Sequence, residues 1–108
     1  MKYQESGDVG RLVLDGPLTL RTVEETHAKL LEMCACHASL DIDCSAADEV
    51  DLSFVQLILA ARSSARAADR TIRLAHAASG ALRDTLQRGG FLTDQAADQA
   101  FWLQPETV

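Results

Sequence analysis

Two periods alternate along the chain. In short stretches apolar and polar residues swap every second position; between them the apolar residues return every three or four, as on a helix. The first strand signal is Val9-Gly10-Arg11-Leu12-Val13-Leu14, after a shorter one at Lys2–Gln4 and a turn at Ser6-Gly7-Asp8. Asp15-Gly16-Pro17 predicts a break, followed by a brief extended piece, Leu18-Thr19-Leu20, at the sheet edge. Thr22 and Glu25 have the spacing of a capping box. The helix it opens carries Val23, His27, Leu30, Leu31 and Cys34 on its apolar stripe, with Glu24, Glu25, Lys29 and Glu32 off it. On this stripe His27 reads as a packing histidine.

Ser39-Leu40-Asp41-Ile42-Asp43-Cys44 alternates and predicts a strand, Asp43 being placed to order the following turn by accepting backbone N–H bonds. An acidic turn, Ala46-Ala47-Asp48-Glu49, leads to a helix from Leu52 to about Ala68. Its core stripe is Phe54, Leu57, Ile58, Ala61 and Ala65. Gln56, Ser63 and Arg66 lie opposite, Val55 and Leu59 at the edges, and Ser53 on the boundary. Arg62, Arg66 and Arg70 step along one row near its C-terminus, where cations suit the dipole. Thr71–Ala75 is a further strand, and Ser79 caps a helix containing Leu82 and Leu86 that stops at Gly89-Gly90. Phe91-Leu92 turns inward. Phe101-Trp102-Leu103 fits either a helical turn or a closing strand, and Phe101-Trp102 either packs on the domain, the expected role, or marks a contact site.

This order predicts an α/β domain, a four- to five-stranded mixed sheet with crossover helices mainly on one face. At 108 residues the chain is long enough for one core, so residues 1–108 are read as a single domain. Aromatic residues are only 5% of the chain, and the core must be built from Leu, Ile, Val and Ala. The net charge of −6 disfavours nucleic acid and anionic membranes as general partners. No apolar run is long enough to span a bilayer and none at the N-terminus resembles a signal peptide, which points to the cytoplasm. Cys34, Cys36 and Cys44 read as reduced, small buried side chains, and the first two would point about 200° apart on a helix, too far to chelate one metal. No nucleophile–base set, metal-ligand spacing, Walker loop or dinucleotide fingerprint is present, so no cofactor, metal or catalytic residue is expected.

The one stretch with distinctive chemistry is Val50-Asp51-Leu52-Ser53. Asp51 is a good N-cap, and Ser53 falls in the first helical turn near the positive end of the dipole. Two readings follow. Asp51 and Ser53 simply cap a core helix, or the same free N–H groups and field receive a phosphate on Ser53.

Four segments, in order and at suitable spacing from Val9 to Leu92, resemble the STAS domain. Gly16-Pro17-Leu18 is similar to that family's Gly-x-Leu, Leu40-Asp41-Ile42-Asp43 to its hydrophobic strand ending in Asp, Val50-Asp51-Leu52-Ser53 to its Asp-Ser/Thr-Ser-Gly segment, and Gly90-Phe91 to its closing Gly-hydrophobic pair. Leu52 stands where the family usually has a hydroxyl residue, and Phe54 where it has glycine. In this it looks more like the small stand-alone STAS proteins of chemotaxis-type bacterial signalling than like the sporulation switch.

The resemblance implies a regulatory protein-binding module, like an anti-sigma factor antagonist, with Ser53 as phosphoacceptor and Asp43, Asp51, Ser53, Gln56 and Leu59 as partner-binding residues. The implied partner is a histidine-kinase-like anti-sigma factor or a chemotaxis-type signalling kinase. A second implied role is a constitutive STAS subunit beside the ATPase of an ABC-type lipid transport assembly, and a third is a ligand or nucleotide sensor. An enzyme is the least favoured class.

Overall fold

The computed structural model of the chain describes residues 9–92 and 99–103. The expected strand at Lys2–Gln4 and turn at Ser6-Gly7-Asp8 lie outside them. The described elements run β1 (Val9–Leu18), α1 (Val23–Cys36), β2 (Ser39–Val50), α2 (Leu52–Ala67), β3 (Thr71–Leu74), α3 (Gly80–Arg88) and α4 (Gln99–Leu103). The α/β class with crossover helices stands. Among the described residues the sheet has three strands in the order β1-β2-β3, all parallel, in place of four or five mixed ones.

The start of the expected Leu18-Thr19-Leu20 piece is the end of β1, and both β1 and β2 run further than their apolar patterns suggest. Asp15-Gly16-Pro17 does not break β1, because register shifts between Val13 and Asp15 and between Gly16 and Pro17, each with an extra residue on β2, keep the two strands paired. Gly16 takes a positive φ of 69°, and the strand continues to Leu18. The acidic Ala46–Glu49 segment is likewise strand, since its backbone pairs with Asp15–Pro17 of β1. At the other end of β1, Gly10 lies under the His37 ring, where a Cβ would fall 2.5 Å from the imidazole.

With parallel strands in the order β1-β2-β3, the general right-handed rule for crossovers puts α1 and α2 on one face of the sheet. That face carries Leu14, Leu18, Leu40, Ile42, Cys44, Ile72 and Leu74, which join Leu30, Phe54, Val55, Ile58, Leu82 and Leu86 in one core cluster. The other face presents Val9, Arg11, Val13, Asp41 and Arg73, with Arg73 paired to Asp41 at 3.5 Å.

The helices differ from their expected faces. In α1 the buried residues are Thr26 and Leu30, with Val23, Met33 and Cys34 half-buried, while His27 and Leu31 are exposed. Nor does Thr22 form the capping box. Its hydroxyl accepts the Thr19 N–H at 3.0 Å and reaches the carbonyls of Pro17 and Thr19, closing the β1–α1 turn instead. In α2, Val55 is wholly buried and Leu57 only half-buried, so the core stripe is rotated toward Val55.

The arginine row is not one row. Arg62 stacks over Phe101, with 4.6 Å to the ring centroid, and Arg66 is exposed. Arg70 lies beyond the end of α2, where it donates to the carbonyls of Cys34 and His37 (2.9 Å to the latter) and closes the C-terminus of α1. Cys36 is exposed, contrary to its expected burial, whereas burial pushes the Cys44 thiol up to about 12, with the Asp43 charge adding to the effect. Phe101-Trp102 is helical and packs inward, with Trp102 fully buried.

Candidate functional site

The carboxyl ends of β1 and β2 meet the start of α2. Asp51 follows the last residue of β2 in extended conformation (φ −127°, ψ −179°) and caps the helix. One carboxylate oxygen, Oδ1, accepts the Ser53 backbone N–H at 3.0 Å and also the Ser53 hydroxyl. The other, Oδ2, accepts the Leu20 N–H at 2.9 Å, while the Asp51 N–H donates to the Leu18 carbonyl at 3.3 Å. A single carboxylate thus ties the loop after β1 to the first turn of α2. The Ser53 hydroxyl holds its pKa below the ordinary carboxylate value, helped by the N–H groups of Leu20, Ser53 and Phe54 and opposed by partial burial.

Ser53 is half-exposed. Phe54 is only 1% exposed, so the side chain that replaces the glycine points into the core and leaves the Ser53 side of the turn open. Gln56 is exposed one turn on, and Leu59 is half-buried against the core. Leu20 and Leu52, 70% and 47% exposed, supply apolar surface beside the cap, and Asp48 and Glu49 are exposed on the strand that leads into it. From below, the Thr85 hydroxyl of α3 donates to the Val50 carbonyl at 2.8 Å. Between α2 and α3 a cleft of about 250 Å³ is lined by Asp51, Leu52, Thr85, Arg88 and Gly89, together with Val50.

Asp43 belongs to a different neighbourhood. It lies on β2 beside the end of β3, and its carboxylate accepts from Arg11 Nη2 at 2.9 Å and from the Ser45 N–H and hydroxyl at 2.9 and 2.6 Å. His76 Nε2 stands 3.8 Å away. Ser45, Arg11 and His76 lower its pKa to about 2, the Ser45 hydroxyl most strongly. It orders the backbone at Ser45, as its position suggests, but within a continuing strand and with no partner in common with Asp51.

The structure therefore brings Asp51, Ser53 and Gln56 together, sets Leu59 further along the same helix, and separates Asp43 from them. Leu20, Thr85 and Arg88 were invisible as site residues in the sequence. Leu20 reaches Asp51 only through β1–β2 pairing, and Thr85 and Arg88 only through the packing of α3. Among the described residues no cluster of His, Cys, Asp and Glu is placed to hold a metal ion, and no helix is long and apolar enough to cross a membrane.

A family model described as Mlab, STAS domain, matches residues 1–93. The fold is similar to that of the anti-sigma factor antagonist SpoIIAA in its unphosphorylated form, with a TM-score of 0.61 and 20% identity over 78% of this chain and 77% of that one. No curated protein matches the chain. With the family model covering all but the last residues, the chain belongs to the STAS family.

Proposed function

We propose that this protein is a cytoplasmic, non-catalytic regulatory module that binds a histidine-kinase-like protein partner through the start of α2, as an anti-sigma factor antagonist does, and that phosphorylation of Ser53 releases it. The observation that carries this reading is the double hold of Asp51 on Ser53 at an open helix start. The partner kinase would transfer the γ-phosphoryl group of ATP to Ser53 Oγ, with loss of the hydroxyl proton and departure of ADP. The product lacks the hydroxyl donor to Asp51. It also adds about −1.5 to −2 charge beside Asp48, Glu49 and Asp51. The helix N-terminus offsets part of this, but a partner fitted to the neutral hydroxyl meets a repelling surface. Asp51, Ser53, Gln56 and Leu59 form the contact along α2, and Asp43 acts at a distance by fixing β2. Ser53→Asp is expected to weaken partner binding by about tenfold or more, and Ser53→Ala to preserve it. Equal affinities for the two variants, measured by titration calorimetry against the captured partner, would sink the switch.

A second reading, a constitutive subunit beside the ATPase of an ABC-type lipid transport assembly, is favoured by one feature. The exposed Leu20 and Leu52 give the helix start an apolar rim suited to permanent docking. On that reading both Ser53 variants bind alike, the protein co-purifies with an ATPase, and Leu52→Asp breaks the complex.

A further inference from the structure

An apolar recess lies away from the start of α2, in the groove between α1 and α2. It encloses about 350 Å³, and its walls include Leu30, Leu31, Leu57 and Ala61. This is the lower end of the size range of small-molecule sites. Leu31 is 60% exposed at its rim, and Ala60 and Ser64 of α2 are also open to solvent there. The sequence placed Leu31 and His27 in the core; the rotation of α1 moves both onto this groove instead.

The groove has a charge pattern as well as an apolar wall. No Asp or Glu lines it, and its one permanently charged residue is Arg70, at the end where α1 and α2 finish. A guanidinium carries five N–H donors in a fork, and the two bonds that hold Arg70 to carbonyls both use Nη1. Arg70 also acts on the groove electrostatically: burial raises the pKa of Cys34, which lines the wall, and the Arg70 charge opposes that rise. An apolar channel ending in a guanidinium is complementary to a molecule with an aliphatic body and one carboxylate. His27 and Ser64 supply the remaining polar atoms of the wall.

We propose that the α1–α2 groove is a binding site for a small aliphatic carboxylate, its chain lying against Leu31, Leu57 and Ala61 and its carboxylate on Arg70. The site is independent of the partner surface at Ser53 and needs no phosphorylation.

The test is a heteronuclear NMR titration of the full chain with octanoate, octanol and octylamine, kept below their aggregation concentrations. Octanoate is expected to give saturable shifts centred on His27, Leu31, Leu57, Ala61 and Ser64. Octanol should bind about tenfold more weakly, and protonated octylamine should not bind. Arg70→Gln should remove the preference of octanoate over octanol. Leu31→Glu, a change at an exposed position that folding tolerates, should weaken octanoate by about tenfold by placing a like charge at the rim. If Arg70→Gln fails to fold, Leu31→Glu and the three-ligand series decide alone. Absence of saturable shifts, shifts centred elsewhere, or equal binding of octanoate and octanol to the parent chain would overturn the proposal. So would concentration-dependent self-association that Leu31→Glu abolishes, which would assign the groove to a second copy of the chain.

Discussion

The Asp43 carboxylate is surrounded by donors that favour its charged form, from Ser45, Arg11 and the nearby His76 imidazole, and these lower its pKa from the ordinary 3.8 to about 2. The direction fixes the pH dependence. A carboxylate whose folded pKa lies below its unfolded value stabilises the fold fully above the unfolded pKa, and loses that contribution as pH falls through the folded one. Asp43→Asn should therefore be less stable than the parent near neutral pH, and the gap should close between about pH 4 and pH 2. Urea midpoints measured across that range check it; a gap constant down to the lowest pH would show that the carboxylate charge is not what matters. Asp51 is lowered for a related reason, but its donors belong to two elements, the loop after β1 and α2 itself. Its role as a cap was legible in the sequence, because an Asp before an apolar helical run has few other uses. The bond to Leu20 was not, since it spans 31 positions and depends on strand pairing that no local pattern encodes.

At the scale of elements, periodicity located every described helix and strand except α4, for which helix and strand both remained open. Its failures share one cause: neighbours distant in sequence decide which face is buried. Thr26 is polar yet only 4% exposed in α1, while Leu31 is left in the groove, because the sheet lies against the Leu30 side of the helix. The bulges that carry β1 through Gly16-Pro17 exist only as register shifts against β2, so the same residues read alone as a stop signal. The end of β2 shows how such non-local contacts support the site. Val50 precedes the cap, and its carbonyl is satisfied by the buried Thr85 hydroxyl of α3. Thr85→Val keeps the shape but leaves that carbonyl without its donor, which costs about 1–3 kcal/mol. It should lower the denaturant midpoint without changing the m-value. A weaker effect on partner binding should follow, since the helix start remains capped by Asp51. Thr85→Ser, which keeps the donor, should recover most of the loss.

Over the whole molecule, the matched family segment ends at residue 93, yet part of the core lies beyond it. Trp102 is the largest of the fully buried side chains, and α4 brings it to the β3 side of the cluster, where its carbonyl accepts the Ala78 N–H at 2.8 Å. Phe101 packs edge-on against it at 4.9 Å and receives the Arg62 guanidinium of α2 on its ring. These contacts join α4 to α2 and to the chain after β3, so the segment is structural in a protein with few aromatic residues to spare. Trp102→Ala should destabilise the protein by about 3–5 kcal/mol, the range for deleting a buried large aromatic. Against the ~5–15 kcal/mol typical of a whole domain, that leaves little margin near physiological temperature. The opposing account makes Phe101-Trp102 a partner contact. On that account Trp102→Ala would leave the denaturant midpoint within about 0.5 kcal/mol of the parent, as surface substitutions do, and weaken partner capture instead. Chemical unfolding and partner capture measured on the same variant separate the two. A core role predicts a large fall in midpoint, with partner affinity per folded molecule preserved, because the contact surface at the other end of α2 does not include α4.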